Sequence, residues 1–172
     1  MTVKTVVPDH EAQTLTITSE YTASAEQVWQ LWADPRKLER WWGPPTYPAT
    51  VQDHDLSVGG QVTYFMTGPE GDKFGGWWRI LTVEPPNHLE FDDGFGDPAA
   101  PPTMPITRTR VTISDAGAGV THMVLVSSFP SAEAMEQLIS MGMQEGITGA
   151  LGQTDALLAS DQGPYRPESL PQ

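Results

Sequence analysis

Residues 131–160 read SAEAMEQLISMGMQEGITGALGQTDALLAS, and the fold turns on this stretch. Its apolar residues recur at helical spacing, which predicts one long helix from Ser131 to Ser160. Glycines at Gly142, Gly146, Gly149 and Gly152 step by four and three, and at about 100° per residue they share one face. Each costs about 1 kcal/mol relative to alanine inside a helix, and about 4 kcal/mol together is a large part of ordinary domain stability. Two arrangements would offset that cost: close approach of another backbone to the bare surface, or space left beside the helix for a ligand. The stripe is read as the lining of an interior pocket.

Around the stripe, Met135, Leu138 and Ile139 continue the glycine side, while Met143, Ile147 and Leu151 lie beside it. Methionines next to glycines suit a pocket that admits several shapes, because the thioether is flexible and polarizable; the same plasticity would also fill gaps in a dry core. Glu145 is the one carboxylate near the stripe. It is a candidate polar handle for a ligand, or an acid/base if buried, against the alternative of a solvated or paired rim residue.

A helical wall needs a sheet opposite it, and the preceding sequence supplies one. Leu15 to Tyr21 alternates as a half-buried strand. Ser24 with Gln27 forms a capping signature for a helix over Ala25 to Ala33. Asp34 and Pro35 then cap and open a second short helix, which Gly43, Pro44 and Pro45 stop. Strand-like runs follow at Ala49 to Leu56, Gln61 to Thr67, Lys73 to Glu84, His88 to Asp93, Ile106 to Asp115 and Val120 to Phe129, separated by Gly- and Pro-rich turns that favour an antiparallel meander. Only the connection from Gly94 to Pro105 is long, with four prolines, and it is expected at a pocket mouth or loose on the surface. Strands segregated from helices define an α+β fold: a curved antiparallel sheet wrapped around a long C-terminal helix, with two short helices after the first strand.

Alternation then assigns the concave face. Val62, Tyr64 and Met66 share a side, as do Leu89 and Phe91, and Met123, Leu125 and Ser127. In Lys73 to Glu84 the parity is ambiguous, with Trp78 and Ile80 opposed to Trp77, Arg79 and Leu81, and a β-bulge is expected near Gly75-Gly76. Arg79 is assigned outward, since a buried unpaired arginine is expensive. Trp29, Trp32, Trp41 and Trp42 could furnish an apolar floor with indole N–H handles, and at least two of them are expected in ordinary core packing.

Composition narrows the functions. The 172 residues suffice for one domain with a substantial core. A net charge of -13 disfavours nucleic acid and anionic membranes, and no basic patch relieves it. The sequence has no cysteine, which removes disulfides and thiolate chemistry and fits a cytoplasmic setting. Residues 1–10 lack signal-peptide character, and no apolar run reaches membrane-span length. His10, His54, His88 and His122 share no metal-ligand spacing, so neither a metal nor a cofactor is expected.

Several short motifs, in this order, resemble one family. They are Ser24, Glu26, Val28 and Trp29 at the entry to the first helix, then Trp41-Trp42-Gly43-Pro44, Val58-Gly59-Gly60 and Val83-Glu84-Pro85-Pro86. Gly142, Met143, Glu145 and Gly146 follow, and then Asp155 with Leu157 to Ala159. From Leu15 to Ser160 the chain resembles the SRPBCC (START-like, helix-grip) superfamily, and within it the relatives of the C-terminal domain of the heat-shock protein 90 ATPase activator. The resemblance implies a single START-like domain over 1–160, a Pro-rich tail over 161–172 and a cavity between sheet and terminal helix. The activator has a further N-terminal domain that makes much of its chaperone contact, and the residues ahead of the first strand here do not hold one, so chaperone activation is not expected. Trp77-Trp78 and the Pro-rich connection look particular to this chain.

The leading expectation is a binding domain for a small apolar or aromatic ligand. Its cavity would be lined by Trp32, Trp41, Trp42, Tyr64, Met66, Trp78, Phe91, Met123, Leu125, Met135, Ile139, Gly142, Met143 and Gly146. One alternative is a cyclase- or hydrolase-like enzyme using Glu145, Tyr64 or a histidine in the same cavity. Another is a chaperone cofactor, other protein-interaction module or homodimer that buries exposed Val124, Val126 and tryptophans.

Overall fold

The computed structural model describes residues 3–161, so the tail expected over 161–172 lies outside the described residues apart from Asp161, which ends the last helix. The elements run β1 (Val3–Asp9), β2 (Thr14–Tyr21), α1 (Ala25–Ala33), α2 (Pro35–Trp41), β3 (Ala49–His54), β4 (Gln61–Thr67), β5 (Lys73–Glu84), β6 (His88–Phe95), β7 (Thr107–Gly117) and β8 (Val120–Ser128). Helices α3 (Ala132–Ser140), α4 (Met143–Leu151) and α5 (Thr154–Asp161) follow. The strands form one antiparallel, curved and unclosed sheet in the order β1-β2-β8-β7-β6-β5-β4-β3. This is the α+β helix-grip arrangement.

Local chemistry sets the short helices. The Ser24 hydroxyl accepts from the Gln27 backbone N–H at 3.1 Å and the Gln27 side chain accepts from the Ser24 N–H at 2.9 Å, a reciprocal cap. Asp34 ends α1 and caps α2, accepting from the Arg36 N–H at 2.9 Å, with Pro35 at the first helical position. Their apolar sides bury Val28, Leu31, Trp32, Leu38 and Trp41 completely. Among the described residues no helix is long and apolar enough to cross a membrane.

The terminal helical region differs from the single rod that spacing predicts. It is three helices, broken at Met141-Gly142 and again at Gly152-Gln153. Gly142 has φ +95°, a left-handed conformation that ends α3 and opens α4, and its N–H donates to the Ile139 carbonyl at 3.0 Å. The Gln153 side chain donates to the Gly43 carbonyl at 2.7 Å, tying the second break to the end of α2. Strand β1 is an addition that alternation did not announce, and the register shift in β5 falls between Ile80 and Thr82 instead of at Gly75-Gly76.

Candidate functional site

Between the sheet and α3–α4 lies a cavity of about 270 Å³, near the lower end of ligand-pocket sizes of roughly 300–1,000 Å³. Its walls are chiefly apolar: Ile17 and Leu125 from β2 and β8, Met66 from β4, Trp42 and Pro44 after α2, and Leu138, Met143 and Ile147 from the terminal helices. Gly142 and Gly146 border it, and a Cβ built on Gly146 would meet nothing within 4 Å. The glycine stripe therefore divides. A Cβ built on Gly149 would meet Pro44 and Pro45 at ordinary contact distance, and Gly152 sits in the second break.

Of the residues expected to line a cavity, Trp42, Tyr64, Met66, Leu125, Gly142, Met143 and Gly146 do so. Trp32, Trp41, Trp78, Phe91, Met123 and Met135 do not; they are packed into the core behind it, and partly buried Ile139 packs against that core. Aromatic packing explains the correction: Trp78 stacks on Phe91 with ring centroids 4.0 Å apart, and Trp32 meets Trp41 edge-on at 4.9 Å. The Trp41 indole donates to the Leu31 carbonyl at 2.9 Å and the Trp32 indole to the Met123 sulfur at 3.3 Å, so both are already occupied. Glu145 is exposed and outside the cavity, which corrects its assignment as the polar handle. Parity in β5 resolves with Trp78 and Ile80 inside and Arg79 exposed over the Trp77 ring.

The polar corner of the cavity is Asp93, which sequence reading took only as a strand end. It follows Leu89 and Phe91 at the period of two, so alternation alone puts it on the concave face. Asp93 pairs across strands with Trp78 on one side and Thr107 on the other, while Thr109 and Ser127 pair in the next row. Burial pushes its carboxyl up to about 7, partly opposed by a hydrogen bond from the Tyr64 hydroxyl. Burial, and then the charge of Asp93, push Tyr64 well above the usual phenol range.

Tyr64 reaches Asp93 because β5 is bare at Gly76. Tyr64 and Gly76 are cross-strand partners, and a Cβ there would stand 2.4 Å from the Tyr64 hydroxyl oxygen. The Trp42 and Trp78 indoles bear on the same phenol, yet their buried N–H groups complete no hydrogen bond. Asp93 and Tyr64 are the titratable side chains of the lining; no lysine, arginine or histidine belongs to it. Chemically the site is an oily hollow with one polar corner, where Asp93, Tyr64, Thr107, Thr109 and Ser127 meet.

Sheet, terminal helices and the hollow between them define a START-like, helix-grip cavity protein. Residues 22–159 match the family described as Activator of Hsp90 ATPase homolog 1-like protein, and the chain belongs to that family. Protein Ms6760 from Mycobacterium smegmatis is similar in structure, at 45% identity over 93% of this chain and 99% of its own, with a TM-score of 0.84. A protein from Arthrobacter aurescens is 42% identical over 99% of this chain and 100% of its own, TM-score 0.88. A Rhodobacter sphaeroides protein at 23% identity, covering 91% of this chain and 98% of its own with a TM-score of 0.77, shares the fold. No curated protein matches the sequence.

Proposed function

We propose that this protein binds a small apolar or aromatic molecule in the cavity between its sheet and terminal helices. The observation that carries the reading is the hollow of about 270 Å³ beside Gly146, where the helix gives up side-chain volume and nothing else fills it. Shape and apolar burial supply the affinity, at about 25 cal/mol per Å² of apolar surface removed from water, less the cost of association. Cysteine-free composition supports a cytoplasmic setting.

The test is native mass spectrometry of the purified protein for a co-purified compound, followed by a thermal-shift screen of apolar ring compounds. Binders should raise the melting temperature by mass action, and Gly146→Leu, which projects a side chain into the hollow, should abolish that rise while keeping the fold. Absence of both a travelling ligand and any stabilising compound sinks the reading.

A second reading, acid/base catalysis in the same cavity, draws support from the Asp93–Tyr64 pair. It requires chemical conversion of a bound compound that Asp93→Asn abolishes, read by mass spectrometry. The interaction-module reading has less behind it. All six tryptophans are buried, and Val124 and Val126 are half-buried, so the apolar patch it needs is not built from them.

A further inference from the structure

Resting on the binding reading above, we propose that Phe95 and Met141 form a gate over the cavity, hinged at Gly96 and Gly142. The two side chains set how fast a small molecule enters and leaves.

Exposure locates the mouth. Among the described lining residues Phe95 and Met141 alone are exposed, at 52% and 62%, while the rest, Trp42 and Leu138 among them, are buried or half-buried. A side chain that lines a hollow and also meets water stands at its opening. Phe95 ends β6 and Met141 follows the last residue of α3, so the opening lies between the end of that strand and the break that separates α3 from α4.

Both gate residues are loosely held. The partner of Phe95 on β5 is Gly76, which has no side chain, and the pairing of β6 with β7 stops at Asp93 and Thr107. Neither flanking strand therefore supplies a cross-strand side chain to clamp the ring. Met141 caps α3, with its N–H shared between the Gln137 and Leu138 carbonyls at 3.2 Å each, where helical hydrogen bonding runs out.

Each is followed by a glycine that can act as a pivot. Gly96 has φ +82° and Gly142 φ +95°, and a Cβ built on either would meet nothing within 4 Å. Glycine passes between left- and right-handed backbone without the steric cost other residues bear, and the open space lets the chain turn there. The Gly96 N–H donates to the Gly75 carbonyl at 2.8 Å and the Gly142 N–H to the Ile139 carbonyl at 3.0 Å, so the pivots stay anchored. Beyond Gly96 the Pro-rich connection runs back to α3, where the Met104 sulfur accepts from the Gln137 side chain at 3.8 Å. That long contact between neutral groups joins the two sides of the mouth, and opening breaks it at little cost. An apolar guest supplies the drive to close, because swinging inward over it takes both side chains out of water.

Stopped-flow fluorescence with acetyl(dimethylamino)naphthalene, a neutral probe that brightens in apolar surroundings, gives association and dissociation rate constants separately. Phe95→Ala combined with Met141→Ala removes the gate and should raise the association rate constant about tenfold, because entry then no longer waits on a conformational step. Dissociation should rise at least as much, since the closed gate also holds the probe in. Met141→Trp, which enlarges the door, should slow association. Both positions are exposed, so the fold should stand, and circular dichroism with thermal unfolding checks each variant.

Loss of affinity carried by dissociation alone overturns the gate, by making the two residues ordinary walls. Parent rates in both variants also overturn it, by placing the entrance elsewhere, and leave the binding reading standing. If the probe does not bind the parent protein, the binding reading falls and the gate with it.

Discussion

Tyr64 owes its place to a residue with no side chain. Gly76→Ala would put a methyl 2.4 Å from the Tyr64 hydroxyl oxygen, so the ring or the strand must move. Overpacking of this kind costs about 1–3 kcal/mol, to be read as a lower urea midpoint with an unchanged m-value. Asp93 gives a pH-dependent counterpart. Its folded value of about 7 lies above the unfolded reference of 3.8, so folding takes up protons. The resulting stabilisation is complete below pH 3.8, declines between there and about 7, and is absent above, where the fold carries a desolvated carboxylate. Asp93→Asn should therefore gain on the parent as pH rises from about 4 to above 7, by up to about 4 kcal/mol, as measured by denaturant titration across pH. The signal for Asp93 was present in the alternation Leu89, Phe91, Asp93; what hid it is that a carboxylate at a strand end ordinarily points to water.

At the scale of elements, the two glycines at the cavity predict opposite outcomes. Gly146 lies within α4 with open space beyond it, so Gly146→Ala should raise stability by about 1 kcal/mol through helix propensity. Gly142 has φ +95°, and Gly142→Ala should lower stability by about 1–2 kcal/mol. Thermal unfolding of the pair checks the sign of each. The same contrast explains which elements the sequence revealed. Helix α1 and strands β4 and β5 were legible to their ends because a cap or turn residues bound each of them, although alternation within β5 left its facing open. The break at Gly142 was not, since apolar spacing runs through it and a left-handed dihedral leaves no periodic trace. Strand β1 escaped because most of its residues are exposed, as suits an edge strand paired on one side. The glycines of β5 suggested a bulge, whereas Gly76 serves the crossing of Tyr64. Half of the expected lining lies in the core instead, because alternation tells which side of a sheet a residue faces and not how deep it lies.

Across the whole molecule, a net charge of -13 sets a uniform background of self-repulsion. Raising sodium chloride from about 0.01 M to about 0.15 M shortens the Debye length from about 30 to about 8 Å, and the melting temperature should rise with it. A flat or falling response in a salt series at fixed pH would contradict this. The sheet order carries a different consequence, one of timing. Strand β2, near the start of the chain, has β8 as its inner neighbour, and Ile17 faces Leu125 across that join. During synthesis β2 must wait until β8, which ends at Ser128 of the 172 residues, has left the ribosome, while the hairpins from β3 to β8 can assemble in sequence. Refolding limited by that last closure belongs to the milliseconds-to-seconds range of chains dominated by distant pairings. The hollow, which needs both sides of the join, is among the last things the molecule acquires.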